Sequence, residues 1–291
     1  MRIALHGKQF IEESTQYVQE IINILSSHGV DMLFSPSFGK IISGSSLKVE
    51  RLQTFSKLKM EKPIDFIFSI GGDGTLLETV THVGSLGIPI LGINTGRLGF
   101  LATTAKTDIA VALDSLFKND FSLDKRTLIR LETEQNIFKD LNFALNEMTV
   151  VKNDTSSMIR VICHINDRLL NTYWADGLMI STPTGSTGYS LSCGGPVVLP
   201  SSQNFLITPI NPHNLNVTPM VVSDSSIIKI EVDSRETKFL TSLDSRSATV
   251  GASVKMKVLK ESFTANLIKM KGYSFLDTLR NKLNWGFDIR N

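Results

Sequence analysis

Cysteine is scarce here. Cys163 and Cys193 are the only two in 291 residues, and they show no paired spacing. Neither a disulfide framework nor a thiolate metal site is indicated on that count. Two reduced thiols in a cytoplasmic protein are the expectation. An excess of charge of one sign is also missing. The net charge of +2 argues for neither a nucleic acid nor an anionic membrane surface as partner. No window approaches the roughly 18 consecutive apolar residues of a membrane span. The opening run, Met1 to Gly7, is too short for a secretory leader and reads as a first strand. The five histidines (His6, His28, His82, His164, His213) show no metal-ligand spacing and read as surface or core residues. A Gly-x-x-x-x-Gly-Lys-Ser/Thr loop and a Gly-x-Gly-x-x-Gly turn are absent, as are internal repeats and low-complexity tracts. What is present, 42% hydrophobic and 20% charged residues, is the composition of a soluble globular chain long enough for two modest domains.

The first ~120 residues alternate strand and helix signals. Val18, Ile21, Ile22 and Leu25 recur at helical spacing, with Gly29 as a C-terminal stop. Val30–Phe34, Ile64–Ile70 and Ile88–Ile93 read as apolar strands; Leu76, Leu77, Val80 and Val83 share a helical face, as do Ile109, Leu113, Leu116 and Phe117. Buried strands separated by helices predict a parallel, Rossmann-like sheet, whose ligands sit at the carboxyl ends of strands. Ser35–Lys62 is polar and serine-rich and is expected to be a mobile connection. Beyond Leu123 the period changes: Ile159, Val161, Cys163 and Ile165 alternate with polar neighbours, as do the runs from Ile227 and Val254. With prolines at 183, 196, 200, 209, 212 and 219, this predicts a largely antiparallel all-β domain. Ser274 is placed to cap a helix with Leu276, Leu279 and Leu283 on one face, which is too short to stand alone and should pack back on the N-terminal domain. The expected division is 1–123, 124–268 and 269–291.

Chemistry concentrates in a few segments. Gly71-Gly72-Asp73-Gly74-Thr75 ends the Ile64–Ile70 strand. Glycines there let backbone N–H groups approach an anion, and a carboxylate among them makes sense if it accepts a proton or faces a magnesium ion beside phosphates. The alternative is an aspartate that caps the following helix. Asn94 through Leu101 follows the next strand, with Phe100 as an apolar face for a base, or it is a plain strand-to-helix loop. Asn146-Glu147 can read a purine edge and grip ribose hydroxyls. Asp176 to Pro196 is the longest such run, rich in glycine and hydroxyls. A serine nucleophile is excluded there, because Gly185-Ser186-Thr187-Gly188 is one residue short of the nucleophile elbow. Asp244 reads as a β-turn aspartate.

Taken in order, these segments and Pro209-Ile210-Asn211-Pro212-His213 resemble the NAD kinases over nearly the full length. Diacylglycerol, sphingosine and phosphofructokinases carry relatives of the first motif, so a lipid or sugar kinase is the rival enzyme and a dinucleotide sensor the rival binder. The resemblance implies transfer of the γ-phosphoryl of ATP to the 2′-hydroxyl of the adenosine ribose of NAD, with Mg²⁺, in a homodimer or homotetramer. It implies Asp73 as base between Gly72 and Gly74 on the phosphate side, and Asn94 and Phe100 nearby. Asn146 and Glu147 would hold adenosine. Asp176 with Thr187, Gly188, Tyr189, Ser190, Leu191 and Ser192 would line the dinucleotide site. Ser157 and Trp174 match positions that touch NAD. Gly188 stands where alanine is usual, and Arg246 where many members have glutamine, which would turn an amide contact into a charge–phosphate contact.

Overall fold

The structure is a computed structural model that describes residues 1–8, 12–59, 62–96, 99–153, 158–214, 216–233 and 238–285. The chain forms two compact units, one of residues 1–125 with 266–291 and the other of residues 126–265.

The first unit opens with β1 (Arg2–Gly7), α1 (Thr15–Ser27), β2 (Asp31–Phe34) and α2 (Pro36–Ser43). It continues with β3 (Phe66–Ile70), α3 (Asp73–Val83), β4 (Ile90–Asn94), β5 (Thr104–Ala105) and α4 (Ile109–Phe117). Strands β2, β1, β3 and β4 lie side by side in parallel, with Ile3 opposite Phe66 and Ile67 opposite Ile90. Every residue of β3 and β4 is buried, as expected for a parallel sheet with both faces covered by helices. Val18, Ile21, Ile22 and Leu25 point α1 into that core, together with Ile109, Leu113 and Leu116 of α4. Helix α1 stops as its sequence predicts. Gly29, at φ +64°, donates to Ser26 O, and Val30 donates to Leu25 O, the paired bonds of a Schellman ending.

The Ser35–Lys62 segment departs from expectation. Ser35 caps α2 by accepting the Phe38 N–H at 3.3 Å, and Pro36 occupies the first turn, where its missing N–H costs nothing. Phe38 and Phe55 are buried; Phe34 N–H donates to Gln53 O at 2.8 Å, and Phe55 N–H donates to Phe34 O at 3.0 Å. Two aromatic anchors and a capped helix therefore order the described residues of a stretch whose composition suggested mobility.

The second unit contains most of β6 (Phe121–Thr133), then β7 (Phe143–Ala144), β8 (Glu147–Lys152), β9 (Ile159–Ile165), β10 (Arg168–Ala175) and β11 (Gly177–Ser181). A short α5 (Tyr189–Ser192) precedes β12 (Asn204–Ile210), β13 (Met220–Ser223), β14 (Ile228–Asp233), β15 (Lys238–Leu243), β16 (Arg246–Gly251) and β17 (Met256–Met270). One antiparallel sheet runs β13-β12-β11-β8-β15-β16; β10, β9, β14 and the start of β17 form another antiparallel set. Ile228, Ile230 and Val232 alternate inward against Lys229 and Glu231, the period-2 signature of a half-buried strand.

The end of β17 belongs to the first unit, where Leu267 pairs in parallel with Ile90 of β4. Helix α6 (Phe275–Leu283) follows, with Ser274 accepting the Asp277 N–H. Phe275 lies against Phe100, with centroids 6.2 Å apart, so the tail helix does pack on the N-terminal α/β fold. The buried residues of α6 are Thr278 and Leu279, while Leu276, expected on the inner face, is 56% exposed. Among the described residues, no helix is long and apolar enough to cross a membrane.

Candidate active site

In the first unit, β3 delivers the chain into the glycine turn at its carboxyl end. Gly71 N–H closes on Ile93 O at 2.9 Å, and Gly72, not the aspartate, is the N-terminal cap of α3. Helix α3 begins at Asp73 itself. The capping alternative for Asp73 is not what the fold uses. Its carboxylate reaches instead to the loop after β4, where Oδ2 accepts the Phe100 N–H at 2.8 Å and Oδ1 accepts Leu101 and Ala102 N–H, both at 3.0 Å. Gly99 permits this approach, since a Cβ there would overlap the Asp73 carboxylate. A Cβ at Gly72 or Gly74 would have nothing within 4 Å, so Asp73 is flanked by open space.

Asn94 ends β4 buried. Its Oδ1 accepts the Gly96 N–H at 2.8 Å, while Nδ2 has no partner among the described residues. Phe100 is half-buried and turns its ring toward Phe275, which occupies part of the face expected to be open for a base. Arg97 and Leu98 of this motif lie outside the described residues.

In the second unit, β8 opens with Asn146-Glu147, and a second aspartate clamps it. Asp244, at φ +52° in the tight turn joining β15 to β16, accepts Leu145 and Asn146 N–H at 2.8 Å and Glu147 N–H at 3.2 Å. Asp244 is therefore more than a turn residue. It fixes three consecutive amides and with them the direction of the two side chains. From the other side, Thr182 Oγ1 donates to Leu145 O at 2.6 Å, and Thr182 N–H donates to Asn146 O at 2.9 Å. Asn146 Oδ1 and Glu147 Oε2 are enclosed and have no hydrogen-bond partner among the described residues. Burial, with Asp244 alongside, raises the Glu147 carboxyl to about 8, so the free protein holds it protonated at neutral pH.

The Asp176–Pro196 run folds around this pair. A Cβ at Gly188 would stand 3.5 Å from Glu147 Oε2, 3.6 Å from Asn146 Nδ2 and 3.2 Å from Gly185 O. Alanine at 188 would thus need only a small give in the Gly185 backbone, and glycine leaves the space open. Tyr189 is exposed on α5, with Cys193, Asp176 and Glu147 near enough to add to burial in raising its phenol. Ser190 is buried against Thr208 (Oγ to Oγ1 3.1 Å), Thr187 bonds back to Thr184 O, Leu191 is half-buried and Ser192 is exposed. Asp176 pairs with Lys152 at 2.7 Å and accepts Asn211 Nδ2 at 3.2 Å, and Lys152 holds its carboxyl below the ordinary range. Trp174 is exposed beneath the Arg160 guanidinium.

Arg246 stands at the edge of this group, with its guanidinium 4.0 Å from the Asp244 carboxylate. Its guanidinium donates to the carbonyls of Leu141 and Phe143 and lies over the Phe143 ring, so it braces the segment leading into β8. Ser157 lies outside the described residues. Sequence reading missed the clamping roles of Asp244 and Gly99 and the buried Arg126, which donates to Thr184 Oγ1 at 3.2 Å. Only Gly99 had a local signal, as part of a motif.

Both units match one family. The ATP-NAD kinase N-terminal domain description covers residues 3–121 and the C-terminal domain description residues 145–270. An NAD kinase of Cytophaga hutchinsonii is 50% identical over the whole of both chains, and those of Flavobacterium psychrophilum and Bacteroides fragilis are 44% and 37% identical over the same full span. The fold superposes on yeast NADH kinase complexed with NADH at a TM-score of 0.88, covering all of this chain and 89% of that one at 22% identity. An Archaeoglobus fulgidus NAD kinase in complex with ATP gives a TM-score of 0.76 at 25% identity, covering 98% of this chain and 99% of that one. With matched domains in both units and full-length relatives well above 30% identity, this chain belongs to the ATP-NAD kinase family.

Proposed function

We propose that Asp73 is the acceptor that orients the 2′-hydroxyl of NAD's adenosine ribose for attack on the γ-phosphoryl of ATP, giving NADP and ADP. The observation that carries this is the setting of Asp73. Three backbone N–H groups fix both of its oxygens, while Gly72 and Gly74 leave room on either side. A carboxylate offers about four acceptor positions, so one remains for a hydroxyl hydrogen. Phosphoryl transition states are loose, and catalysis rests on position and charge; a rigid acceptor that takes the proton late fits that demand. The open turn and Asn94 Nδ2 supply donors for phosphate oxygens. Mg²⁺ enters as part of the Mg–ATP substrate, held mainly by phosphate.

Asn146 Oδ1 and Glu147 Oε2, enclosed and without a hydrogen-bond partner among the described residues, are the groups that take the adenosine, with Gly188, Tyr189 and Asp176 around them. Residues 124–268 are in this reading the dinucleotide-binding domain, and 1–123 with 269–291 the part that presents Asp73. A cytoplasmic homodimer or homotetramer is part of the same proposal, the compartment supported by two unpaired thiols.

Asp73→Asn tests the central role. Its rate of NADP formation should fall by about 10²–10⁴-fold while NAD still binds by titration. Wild-type turnover in that variant would remove Asp73 from the mechanism.

A further inference from the structure

Away from these residues, the first unit gathers three metal-type ligands that are scattered in sequence. His6 lies near the end of β1, fully buried, and Glu78 and His82 lie one turn apart on α3. Their ligand atoms all fall within 4.8 Å of one another, and His6 Nε2 stands 3.8 Å from Glu78 Oε1. His6 Nε2 and His82 Nε2 are enclosed and have no hydrogen-bond partner among the described residues. Ser69, paired with His6 in the β1–β3 register and so on the same face, has an enclosed, unpartnered hydroxyl as well. Buried polar atoms left unpaired are costly, and several in one place point to something they hold.

We propose that His6, Glu78 and His82 bind a borderline-soft divalent cation of the Zn²⁺ class, with a fourth position open to water, and that this ion ties α3 to β1. Two imidazoles and one carboxylate suit zinc or cobalt, whereas Mg²⁺ and Ca²⁺ prefer oxygen shells. Bonds of about 2.0–2.2 Å place tetrahedral ligand atoms roughly 3.3–3.6 Å apart. The observed spacings close to that range with side-chain shifts of about an ångström. His6 Nδ1 bonds Ser35 Oγ at 2.8 Å, which orients the ring with Nε2 toward Glu78; with Nδ1 donating, Nε2 presents its lone pair to the ion. Lys8, paired with Glu78 Oε2 at 3.0 Å and itself exposed, is the cation that the metal displaces. The edge of Phe55 closes the His82 side. The consequence falls on the reaction indirectly, because α3 is the helix that begins at Asp73.

The test uses the intact, nucleotide-free protein titrated with Co²⁺, followed by visible d–d absorption, then with Zn²⁺ by calorimetry and thermal melting. Wild type should take up one equivalent with tetrahedral-type absorption, and Zn²⁺ should raise the melting temperature until a chelator removes it. Glu78→Gln and His82→Gln should each weaken binding by at least ~10–100-fold. Lys8→Ala should tighten it by about two- to fivefold, an opposite sign that impaired folding would not produce. No uptake by wild type, or uptake that none of these three variants changes, overturns the site.

Discussion

Two aspartates do the same physical work at the residue scale. Asp73 and Asp244 each accept three consecutive backbone N–H groups from a distant segment, residues 100–102 and 145–147. Asp73 could be picked out in the sequence because glycines surround it; its three donors could not, since they lie 27 to 29 positions on. Asp244 looked like an ordinary turn residue, and its local signals say nothing more. Glu147 carries the sharpest pH prediction. Its carboxyl titrates near 8 in the fold against an ordinary 4.5, so between those values the folded state holds a proton that the unfolded state has lost. Stability should therefore fall as pH rises through that window. Glu147→Gln, which cannot ionise, should melt above wild type at about pH 9 and lose that advantage near about pH 5, by calorimetry. If ribose hydroxyls need the anion, NAD affinity of the wild type should rise toward pH 8, and the variant's should not.

Elements were legible where a local rule decides them. The i, i+3, i+4, i+7 spacing of Val18, Ile21, Ile22 and Leu25 gave α1, and alternation gave β9 and β14, because one buried face imposes those periods. Helix α2 was missed although Ser35-Pro36 is a helix-start signal, since the polar composition around it outweighed a single cap. The inner face of α6 was misjudged at Leu276 because a short helix has few positions to define its direction. Gly29 tests the element scale cleanly. A Cβ there has nothing within 4 Å, so Gly29→Ala costs only the left-handed conformation. Unfolding free energy should drop by roughly 1–2 kcal/mol, read by urea denaturation. A smaller loss for Gly29→Asn would confirm that backbone preference, not contact, is responsible.

For the whole molecule, two cores matter, one beneath the parallel sheet and one between antiparallel strands. The first is completed by the end of the chain. Leu267 pairs with Ile90, Ile268 is among its buried residues, and Phe275 covers Phe100. A chain ending at Ala265 would leave β4 without that neighbour and the core without Ile268. Its first unit should lose cooperative melting and aggregate through the bared edge; a truncated chain melting like the full one would show those contacts to be dispensable. The sequence by itself determined the classes of structure, the glycine turn with its carboxylate and the family, because periodicity and turn chemistry act over a few residues. Tertiary structure alone decided which amides hold Asp73 and Asp244, that Arg246 braces Leu141 and Phe143, and that His6 meets His82. Those choices depend on which distant groups packing brings into contact, and no local pattern encodes that.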